Sequence, residues 1–288
     1  MKIVAGSASK RLARKLGDVL NVPVIEAEYK IFPDGESYFR IPESVEGEDI
    51  IIVQTTGPPQ DKHILELAFL LDTVKDFRAK KITLVVPYLA YARQDERYLE
   101  GEVLSSKVVA KILNSIGANK LLTVDVHNEA VLSFYNFEAV NLSASEVFAD
   151  HIEKMELKDP FVLCPDQERP EMLKPIADRL GTEYDWLEKF RDRITGEVKT
   201  KEKKLPVENR DVLIVDDIIS TGWTVVNAIN LLKKQGARDI YVFATHLVFA
   251  EGARERILNA GAKEIIGTDS IERDESKVTL APLIAKHL

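Results

Sequence analysis

Eight continuous apolar runs constrain the fold of this chain more than any other feature of its sequence. They occupy residues 2–6, 49–56, 81–88, 120–126, 160–166, 211–217, 239–246 and 264–268. Because these runs do not alternate apolar with polar residues, they are typical of parallel strands covered on both faces. Helical patterns lie between them, and those at 105–117 and 224–236 each finish on a glycine at the C-cap position. The sequence therefore predicts an α/β fold of mainly parallel sheets flanked by helices.

An internal repeat suggests two domains. Residues 117–127 (GANKLLTVDVH) and 236–246 (GARDIYVFATH) share a Gly-Ala start, two polar residues, a strand pattern and a final histidine. Upstream, LVVPY at 84–88 takes the place of LIVDD at 213–217. We therefore predict two halves of similar fold that meet near residues 140–146. Chance similarity between α/β units is the alternative explanation.

Composition and charge exclude several classes of protein. Of the 288 residues, 45% are apolar and 30% are charged, which is typical of a globular chain. The net charge of −8 provides no general positive field, so no nucleic-acid partner is expected. No apolar run is long enough to span a membrane, and the first residues lack the apolar stretch of a signal peptide. A single cysteine, Cys164, excludes an intramolecular disulfide and favours the cytoplasm.

Residues 212–226 (VLIVDDIISTGWTVV) combine an apolar strand, two adjacent acids and a turn of small residues. Ligands of open α/β sheets bind beyond the carboxyl ends of strands, where loops meet helix N-termini. The N–H groups and hydroxyls of STGWT (220–224) suit a phosphate there, and Gly222 lets the backbone approach it closely. Asp216 and Asp217 suit vicinal sugar hydroxyls or a bridging Mg²⁺. A sugar phosphate such as ribose 5-phosphate fits this pattern, and an ordinary strand end with a capped helix is the alternative.

The same stretch resembles the phosphoribosyl-diphosphate-binding motif of phosphoribosyltransferases and ribose-phosphate pyrophosphokinases. Three further stretches resemble the pyrophosphokinases, in order and at plausible spacing: IFPDGESYFRI (31–41), PYLAYARQDERYLEGEVLSSK (87–107) and TVDVH (123–127). The resemblance extends over nearly the whole chain. It implies transfer of the β,γ-diphosphoryl group of ATP to the 1-hydroxyl of ribose 5-phosphate, giving 5-phosphoribosyl 1-diphosphate and AMP.

The resemblance also implies a domain organisation. Residues 1–143 form a degenerate phosphoribosyltransferase-like domain with the ATP motifs. Residues 144–288 carry the ribose 5-phosphate loop and a mobile catalytic loop, and the extreme C-terminus packs back on the first domain. The ATP site lies at a subunit interface, so self-association is expected.

Roles for individual residues follow from the resemblance. ATP binding is implied for Phe32, Asp34, Gly35, Glu36, Arg93 and Gln94. Ribose 5-phosphate binding is implied for Arg191, Asp216, Asp217, Ser220, Thr221, Gly222, Trp223 and Thr224. Lys189 and Arg191 are the expected catalytic cations, and a Mg²⁺ site is expected from His127, Asp166 and Asp125. Asp125 and His127 stand two residues apart at a strand end, a spacing that places both side chains on one face of a strand.

Two departures from the family pattern stand out. Gln167, Glu168 and Arg169 follow Asp166, where the family has a glycine-rich turn, and Trp223 replaces the second glycine of Thr-Gly-Gly-Thr.

A phosphoribosyltransferase is an alternative function, but it leaves the Arg-Gln and FPDGE stretches unexplained. A non-catalytic regulatory homologue would be expected to lack Lys189 or Asp216, and a purely structural protein explains least.

Overall fold

The computed structural model describes residues 1–167, 170–191, 198–200 and 203–288, with the backbone alone at 170, 189–191 and 198–200. It divides into two compact units. The first unit holds residues 1–142, 269–272 and 279–288, and the second holds residues 143–268 and 273–278. Across the described residues, no helix combines the length and the apolar character that a membrane crossing requires.

The first unit is built on a six-stranded parallel sheet of order β2-β1-β5-β6-β7-β8. Its elements, numbered along the whole chain, are β1 (Lys2–Ala5), α1 (Lys10–Leu20), β2 (Val24–Glu26), β3 (Glu28–Ile31), β4 (Ser37–Arg40), β5 (Asp49–Val53), α2 (Gln60–Asp76), β6 (Lys81–Val85), α3 (Ser105–Ile116), β7 (Lys120–Val124), β8 (Glu138–Leu142) and α8 (Ala281–Ala285). Strands β3 and β4 form a separate antiparallel hairpin. Ile50 and Ile52 of β5 pack with Leu67 and Leu71 of α2 in a fully buried core.

The second unit has a six-stranded parallel sheet of order β10-β9-β13-β14-β15-β16. Its elements are α4 (Ser145–Ile152), β9 (Phe161–Cys164), α5 (Leu173–Leu180), β10 (Tyr184–Trp186), β11 (Lys189–Arg191), β12 (Val198–Thr200), β13 (Val212–Ile219), α6 (Trp223–Lys234), β14 (Ile240–Leu247), α7 (Ala253–Ala260), β15 (Glu264–Thr268) and β16 (Ser276–Val278). Strands β11 and β12 pair antiparallel. Ile214, Ile229 and Val242 are fully buried in its core, between the sheet and its helices.

The predicted fold class is confirmed, and all eight apolar runs are strands. Four short strands at the sheet edges, β2, β8, β10 and β16, were not predicted. Each is three to five residues long, and most positions of β2, β8 and β10 are only partly buried, so these strands lack the continuous apolar signal of the central strands.

The two sheets share one strand order, which confirms two similar halves but corrects the alignment of the repeat. Strand β5 occupies the position of β13, and β6 occupies that of β14. The sequence alignment had matched β6 with β13 and was therefore wrong by one strand–helix unit. Every such unit needs an apolar strand and a terminated helix, so neighbouring units resemble one another. In the correct alignment, Asp49–Val53 matches 211–215, and Thr56-Gly57 matches Thr221-Gly222.

Residues from the far end of the sequence complete the first unit. The Leu280 N–H donates to Asp269 Oδ1 at 2.8 Å, and Lys120 Nζ donates to the His287 carbonyl at 2.8 Å. Asp269 also forms an ion pair with Lys15 of α1 at 2.9 Å. Helix α8 packs against α1. The first unit is therefore discontinuous in sequence.

Candidate functional site

The two adjacent acids lie within β13, two residues before its carboxyl end. Asp216 and Asp217 are 7% and 5% exposed, and the Asp217 N–H donates to Asp216 Oδ1 at 3.0 Å. Strand β13 extends through Ile219 because it continues to pair with β14 as far as Leu247. Two nearly buried carboxylates are therefore held by strand pairing at the edge where α/β sheets bind ligands.

The small-residue turn leads directly into α6. Gly222 is the N-cap of this helix with φ 77°, and no side chain of the described residues caps it. A Cβ atom at Gly222 would come within 3.0 Å of Ile257 Cδ1, so the position favours glycine for both its dihedral angle and its packing. The first N–H groups of α6 and the hydroxyls of Ser220, Thr221 and Thr224 lie in one short segment, as the sequence predicted. We call residues 216–224 the β13–α6 corner.

The segment before and along α7 supports this corner. The Ala250 N–H donates to the Ser220 carbonyl at 3.1 Å. Arg256 donates through Nη1 to the Thr221 carbonyl and through Nη2 to the Glu251 carbonyl, the latter at 2.7 Å. The Arg256 guanidinium carbon lies 4.3 Å from the centroid of the Trp223 ring. Sequence reasoning missed Arg256, because a single arginine on a polar helix face carries no pattern.

Asp166 follows β9 at the same edge of the second sheet. The register pairs Leu163 with Ile214, which places Asp166 near the level of Asp216 and Asp217. Burial raises the pKa of the Cys164 thiol, and the negative charges of Asp216, Asp166 and Asp217 act in the same direction. The register therefore places the three predicted carboxylates of this unit at the same edge of the sheet. Gln167 is exposed, while Glu168 and Arg169 lie outside the described residues.

The two expected catalytic cations lie on β11. The backbone of Lys189 pairs with Thr200, and that of Arg191 pairs with Val198 on β12. Their side chains lie outside the described part of the chain, as do residues 192–197. Their catalytic roles stay a prediction.

In the first unit, the FPDGE stretch forms the turn of the β3–β4 hairpin. Gly35 has φ 96°, the Phe32 N–H donates to the Glu36 carbonyl at 2.8 Å, and the Glu36 N–H donates to Asp34 Oδ1 at 3.2 Å. Tyr38 packs edge-on against Phe32, with 5.9 Å between the ring centroids. The four predicted residues are all exposed, and Phe32 presents an aromatic surface to solvent.

A cavity of about 440 Å³ lies between this turn and α2. It is lined by Gly35, Glu36, Ser37, Lys62, Leu65, Glu66 and Phe69. Two of the four predicted adenine-site residues of the hairpin thus border a cavity, and they meet a mixed apolar and charged helix face there.

Arg93 and Gln94 lie on the loop that precedes α3. The Ser105 hydroxyl donates to Gln94 Oε1, and the Ser106 hydroxyl donates to the Gln94 carbonyl at 2.9 Å. Gln94 therefore also fixes the start of α3, while the Arg93 side chain is exposed. At the head of this loop, Tyr91 has φ 65°, and its hydroxyl donates to Asp61 of α2. That hydrogen bond, together with partial burial and the charge of Asp61, raises the pKa of Tyr91.

The carboxyl end of β7 carries Asp125 and His127, but not in the predicted extended conformation. Strand β7 ends at Val124, and Asp125 has φ 39°, in the left-handed region. The argument from strand alternation is therefore wrong for this pair. Asp125 is fully buried, whereas His127 is partly exposed. Its neighbour Asn128 donates to Asp95, which connects this strand end to the Arg93–Gln94 loop.

Sequence reasoning also missed a buried polar network centred on Glu66 of α2. This carboxylate is fully buried and accepts from the Ser7 hydroxyl, from the Ser37 hydroxyl at 3.0 Å and from Gln54 Nε2 at 3.4 Å. Lys62 lies 3.6 Å from it. Through Ser37, α2 positions the hairpin, and through Asp61 it positions Tyr91. The available signal was a glutamate within the apolar run HILELAFLL.

The donors at the strand ends are compatible with Mg²⁺. This ion prefers oxygen ligands, keeps several waters and is usually bound by one or two carboxylates together with substrate phosphates. Across the described residues, no group of three or more His, Cys, Asp or Glu side chains is gathered as a metal site. In the first unit the partly exposed His127, and in the second unit the nearly buried carboxylates of Asp166 and Asp216, are, each taken separately, the kind of donor that suits an ion bound together with phosphates.

Paired acids in a parallel strand, followed by a small-residue turn and a helix N-terminus, are the arrangement that the resemblance to phosphoribosyl-binding α/β proteins predicts. Comparison with known sequences agrees. The profile of a phosphoribosyl transferase domain matches residues 132–277, and that of the N-terminal domain of ribose phosphate pyrophosphokinase matches residues 1–117. The chain belongs to the ribose-phosphate pyrophosphokinase family.

Individual relatives are similar over their full length. The ribose-phosphate pyrophosphokinase of Sulfurisphaera tokodaii is 41% identical over 292 residues, covering 100% of both chains. That of Methanothermobacter thermautotrophicus is 40% identical over 98% of each chain. The crystal structure of phosphoribosylpyrophosphate synthetase from Mycobacterium smegmatis is 29% identical, with a TM-score of 0.86, and covers 99% of this chain and 96% of that one.

Proposed function

We propose that this chain is a ribose-phosphate diphosphokinase. It transfers the β,γ-diphosphoryl group of ATP to the 1-hydroxyl of ribose 5-phosphate and releases AMP. The observation that carries the proposal is the β13–α6 corner, in which two nearly buried carboxylates precede a helix N-terminus that no described side chain caps. A phosphate at one end and a diol beside the acids is the substrate chemistry that this corner suits.

Ribose 5-phosphate is bound along this corner. The N–H groups at the start of α6 and the hydroxyls of Ser220, Thr221 and Thr224 hold the 5-phosphate, because a helix N-terminus offers donors and a positive dipole end. The 2- and 3-hydroxyls of the ribose donate to Asp216 and Asp217. Charge-assisted hydrogen bonds of this kind orient the sugar as well as bind it.

ATP is bound by the first unit. Phe32 stacks on the adenine, and Asp34, Gly35 and Glu36 provide acceptors and backbone contacts beside the cavity at α2. Arg93 binds phosphate oxygens with its planar donor fork. Gln94 keeps the loop in place through its contacts to Ser105 and Ser106.

The reaction is an in-line displacement at the β-phosphorus. The 1-hydroxyl oxygen of the sugar forms the new P–O bond, the bond to the α-phosphate oxygen breaks, AMP carries away that electron pair, and the hydroxyl proton passes to solvent. Lys189 and Arg191 stabilise negative charge on the transferring oxygens. Mg²⁺, when bound, neutralises phosphate charge. His127 and Asp125 of the first unit and Asp166 of the second are the protein groups proposed to serve it.

The proposal of self-association is supported by an exposed apolar face on the first unit. Leu65 and Phe69 of α2 and Val108 and Ile112 of α3 are exposed, and a cavity of about 410 Å³ lies among residues of both helices. Contiguous apolar surface of this kind usually marks an interface. Leu65 and Phe69 also line the cavity beside the Gly35 turn. We therefore propose that a second copy covers this face and borders the ATP site.

A cytoplasmic location is also proposed. Cys164 is the single cysteine, it is buried in β9, and it has no second cysteine in the chain with which to form a bridge. Proteins without disulfides suit reducing compartments. Fractionation of cells that express the chain, followed by immunodetection, would place it in the cytoplasmic fraction if the proposal holds.

The decisive experiment mixes purified protein with ATP, Mg²⁺ and ribose 5-phosphate and follows AMP release. AMP should appear only when the sugar phosphate is present. The rate of the Lys189→Ala variant should be lower by a factor of about 10²–10³, as expected for one lost transition-state contact. Binding of ribose 5-phosphate without AMP would favour a regulatory homologue. Release of diphosphate from added 5-phosphoribosyl 1-diphosphate in the presence of a base would favour a phosphoribosyltransferase.

Assembly is tested separately. Replacing Ile112 with lysine places a charge in the apolar face. Ile112 is not among the residues predicted to bind a substrate. Light scattering should then report a smaller particle, and the KM for ATP should rise. Replacing the exposed Val19 of α1 with lysine is the matched control and should change neither. An unchanged mass for Ile112→Lys would exclude this face as the interface.

A further inference from the structure

Arg256 contacts the β13–α6 corner in three ways at once. Its Nη1 donates to the carbonyl of Thr221, its Nη2 donates to the carbonyl of Glu251 at 2.7 Å, and its guanidinium carbon lies 4.3 Å from the centroid of the Trp223 ring. The side chain is partly buried. Both terminal nitrogens and one face of the guanidinium group are therefore engaged, by the corner and by the segment that precedes α7.

These contacts restrain Arg256 and leave it poorly disposed to bind a substrate directly. A guanidinium group that binds phosphate presents two terminal donors in one plane to the ligand. Here those nitrogens already point to two carbonyls, and the indole covers one face. Its positive charge nevertheless lies at the start of α6, where it contacts Thr221 and Trp223 on either side of Gly222. The geometry therefore suits a residue that holds the turn in place.

Trp223 gives this arrangement a reason that the sequence alone did not provide. The family pattern places a glycine where this chain has Trp223, and the ring is 55% exposed, which is unfavourable for so large an apolar side chain. Stacking against an arginine covers part of the ring and adds a cation–π attraction. Trp223 also occupies the first turn of α6, so a restrained ring restrains the backbone N–H groups that follow it.

The helix that carries Arg256 supports the same turn by packing. Ile257 approaches the Gly222 backbone so closely that an added Cβ atom would lie 3.0 Å from its Cδ1, and Ala253 would lie 3.4 Å away. Helix α7 therefore contacts the turn through Ala253, Arg256 and Ile257. Only Arg256 among these three can fix the direction of a backbone carbonyl.

We propose that Arg256 is a positioning residue for ribose 5-phosphate, with Trp223 as its stacking partner. The inference rests on the proposed binding of the sugar phosphate by the β13–α6 corner. By holding the Thr221 carbonyl away from the bound phosphate, Arg256 keeps that electron-rich group from opposing the anion and keeps the N–H groups of α6 facing it. Arg256 thus acts through Thr221 and Trp223.

The test compares Arg256→Ala with Arg254→Ala. Arg254 stands on the same helix and pairs with Glu275 and Glu255, so its loss removes a surface charge of the same type. Arg256→Ala should raise the KM for ribose 5-phosphate roughly tenfold, the equivalent of one charge-assisted hydrogen bond, with kcat and the KM for ATP little changed. Arg254→Ala should change none of these. Equal effects of the two variants on KM would overturn the proposal in favour of a general charge effect.

A second set of variants separates positioning from mere stability. Arg256→Lys keeps the charge but replaces the planar two-nitrogen fork with a single ammonium group that does not stack as a plane, so it should resemble Arg256→Ala. Trp223→Gly should raise the same KM, and the double variant should be no worse than Arg256→Ala alone. A melting temperature that falls while the KM stays constant would overturn the proposal, as would additive effects of the two changes. If the unaltered protein releases no AMP, the proposed function fails first, whatever the variants do.

Discussion

The β13–α6 corner and its equivalent in the first unit occupy the same place in two sheets of the same strand order. Their polar groups differ in what they bond to and in how far they are exposed. The β5–α2 corner comprises residues 54–60. Thr56 Oγ1 donates to the Tyr88 carbonyl at 2.8 Å and accepts from the Ala90 N–H at 2.8 Å, while Gln54 Oε1 accepts from the Ala8 N–H at 3.1 Å. Each of these polar groups is hydrogen-bonded to a residue of the first unit itself.

Length accounts for much of this difference. Three residues separate Val53 from Gly57, whereas six separate Val215 from Gly222. The shorter corner is drawn into the fold, where Gln54, Thr55 and Thr56 are buried and Gly57 lies against Ile271. The longer corner leaves its hydroxyl residues partly exposed. Equal topology therefore supplies a place for a ligand, and the loop sequence decides whether that place binds one.

The largest expected effect comes from placing a carboxylate in the β5–α2 corner, as the β13–α6 corner has. Gln54→Glu adds a carboxylate beside buried Glu66 and removes the donor of the 3.4 Å hydrogen bond. We expect a loss of about 3–5 kcal/mol in the free energy of unfolding, because a buried charge would lack a partner. Urea unfolding measures this loss. The double variant Gln54→Glu/Glu66→Gln restores one carboxylate and one amide and should recover part of it, and no recovery would argue against charge repulsion as the cause.

Asp217→Asn removes a charge from the second corner. It should lower kcat/KM for ribose 5-phosphate about a hundredfold, since hydrogen bonds to a charged group contribute roughly 1.5–3 kcal/mol each. Steady-state kinetics with each substrate varied in turn measure the effect. The matched control is Thr55→Val at the equivalent position of the first corner, where Thr55 Oγ1 accepts from the Tyr88 N–H at 3.4 Å. That variant should affect stability and leave this kinetic constant in place.

The two glycines provide a finer comparison. Gly222→Ala should destabilise the second unit by about 1–2 kcal/mol, because φ 77° is unfavourable for a residue with a Cβ atom, and it should raise the KM for ribose 5-phosphate. Gly57 has no positive φ, so Gly57→Ala meets only the Ile271 side chain, at 3.1 Å, and should cost less and leave the KM unchanged. Combining Gly222→Ala with Ile257→Val relieves the contact but not the backbone angle. Full recovery in that variant would show that packing alone makes Gly222 necessary.

The smallest expected effect concerns the strand starts. Burial alone would raise the pKa of Asp211, but the hydrogen bonds from Arg238, at 2.6 Å to each carboxylate oxygen, and from the Lys158 N–H lower it below its usual range. Asp211→Asn should therefore cost about 1 kcal/mol at neutral pH, a modest value because Arg238 is partly exposed. Asp49→Asn, at the equivalent position, should cost less.

The pH dependence of this effect has a definite sign. A carboxyl whose pKa is lowered by folding contributes stability above its unfolded pKa and loses that contribution as the pH falls through its folded pKa. The difference in unfolding free energy between the unaltered protein and Asp211→Asn should therefore be constant at neutral pH and shrink below about pH 4. A difference that grows on acidification would contradict this account.

Most of the fold could be predicted from the sequence, because central parallel strands are apolar on both faces. The edge strands and the alignment of the repeat could not. Edge strands such as β8 are only partly buried, and consecutive βα units are too alike for local similarity to choose between them. Topology settles the alignment, since strand order depends on contacts between residues far apart in sequence.

The local structure of the candidate site could be predicted where a short motif specifies it, as at Asp216-Asp217 and the turn that follows, while the binding roles of these residues stay a prediction. Glu66, Asp61 and Arg256 could not be found in this way. Their roles depend on partners that are distant in the chain, such as Ser37 for Glu66 and Tyr91 for Asp61. Asp125 shows the converse error, because an extended conformation was assumed where the backbone turns left-handed.

The discontinuity of the first unit has a consequence for synthesis on the ribosome. A nascent chain that has reached residue 142 contains the whole first sheet but lacks Asp269, Leu280 and His287, which complete the unit. Domains usually fold in order as they emerge. Here the unit that is translated first can finish folding only when residues 279–288 have left the exit tunnel. The surface of α1 that packs against α8 therefore stays exposed to solvent while the second unit is synthesised.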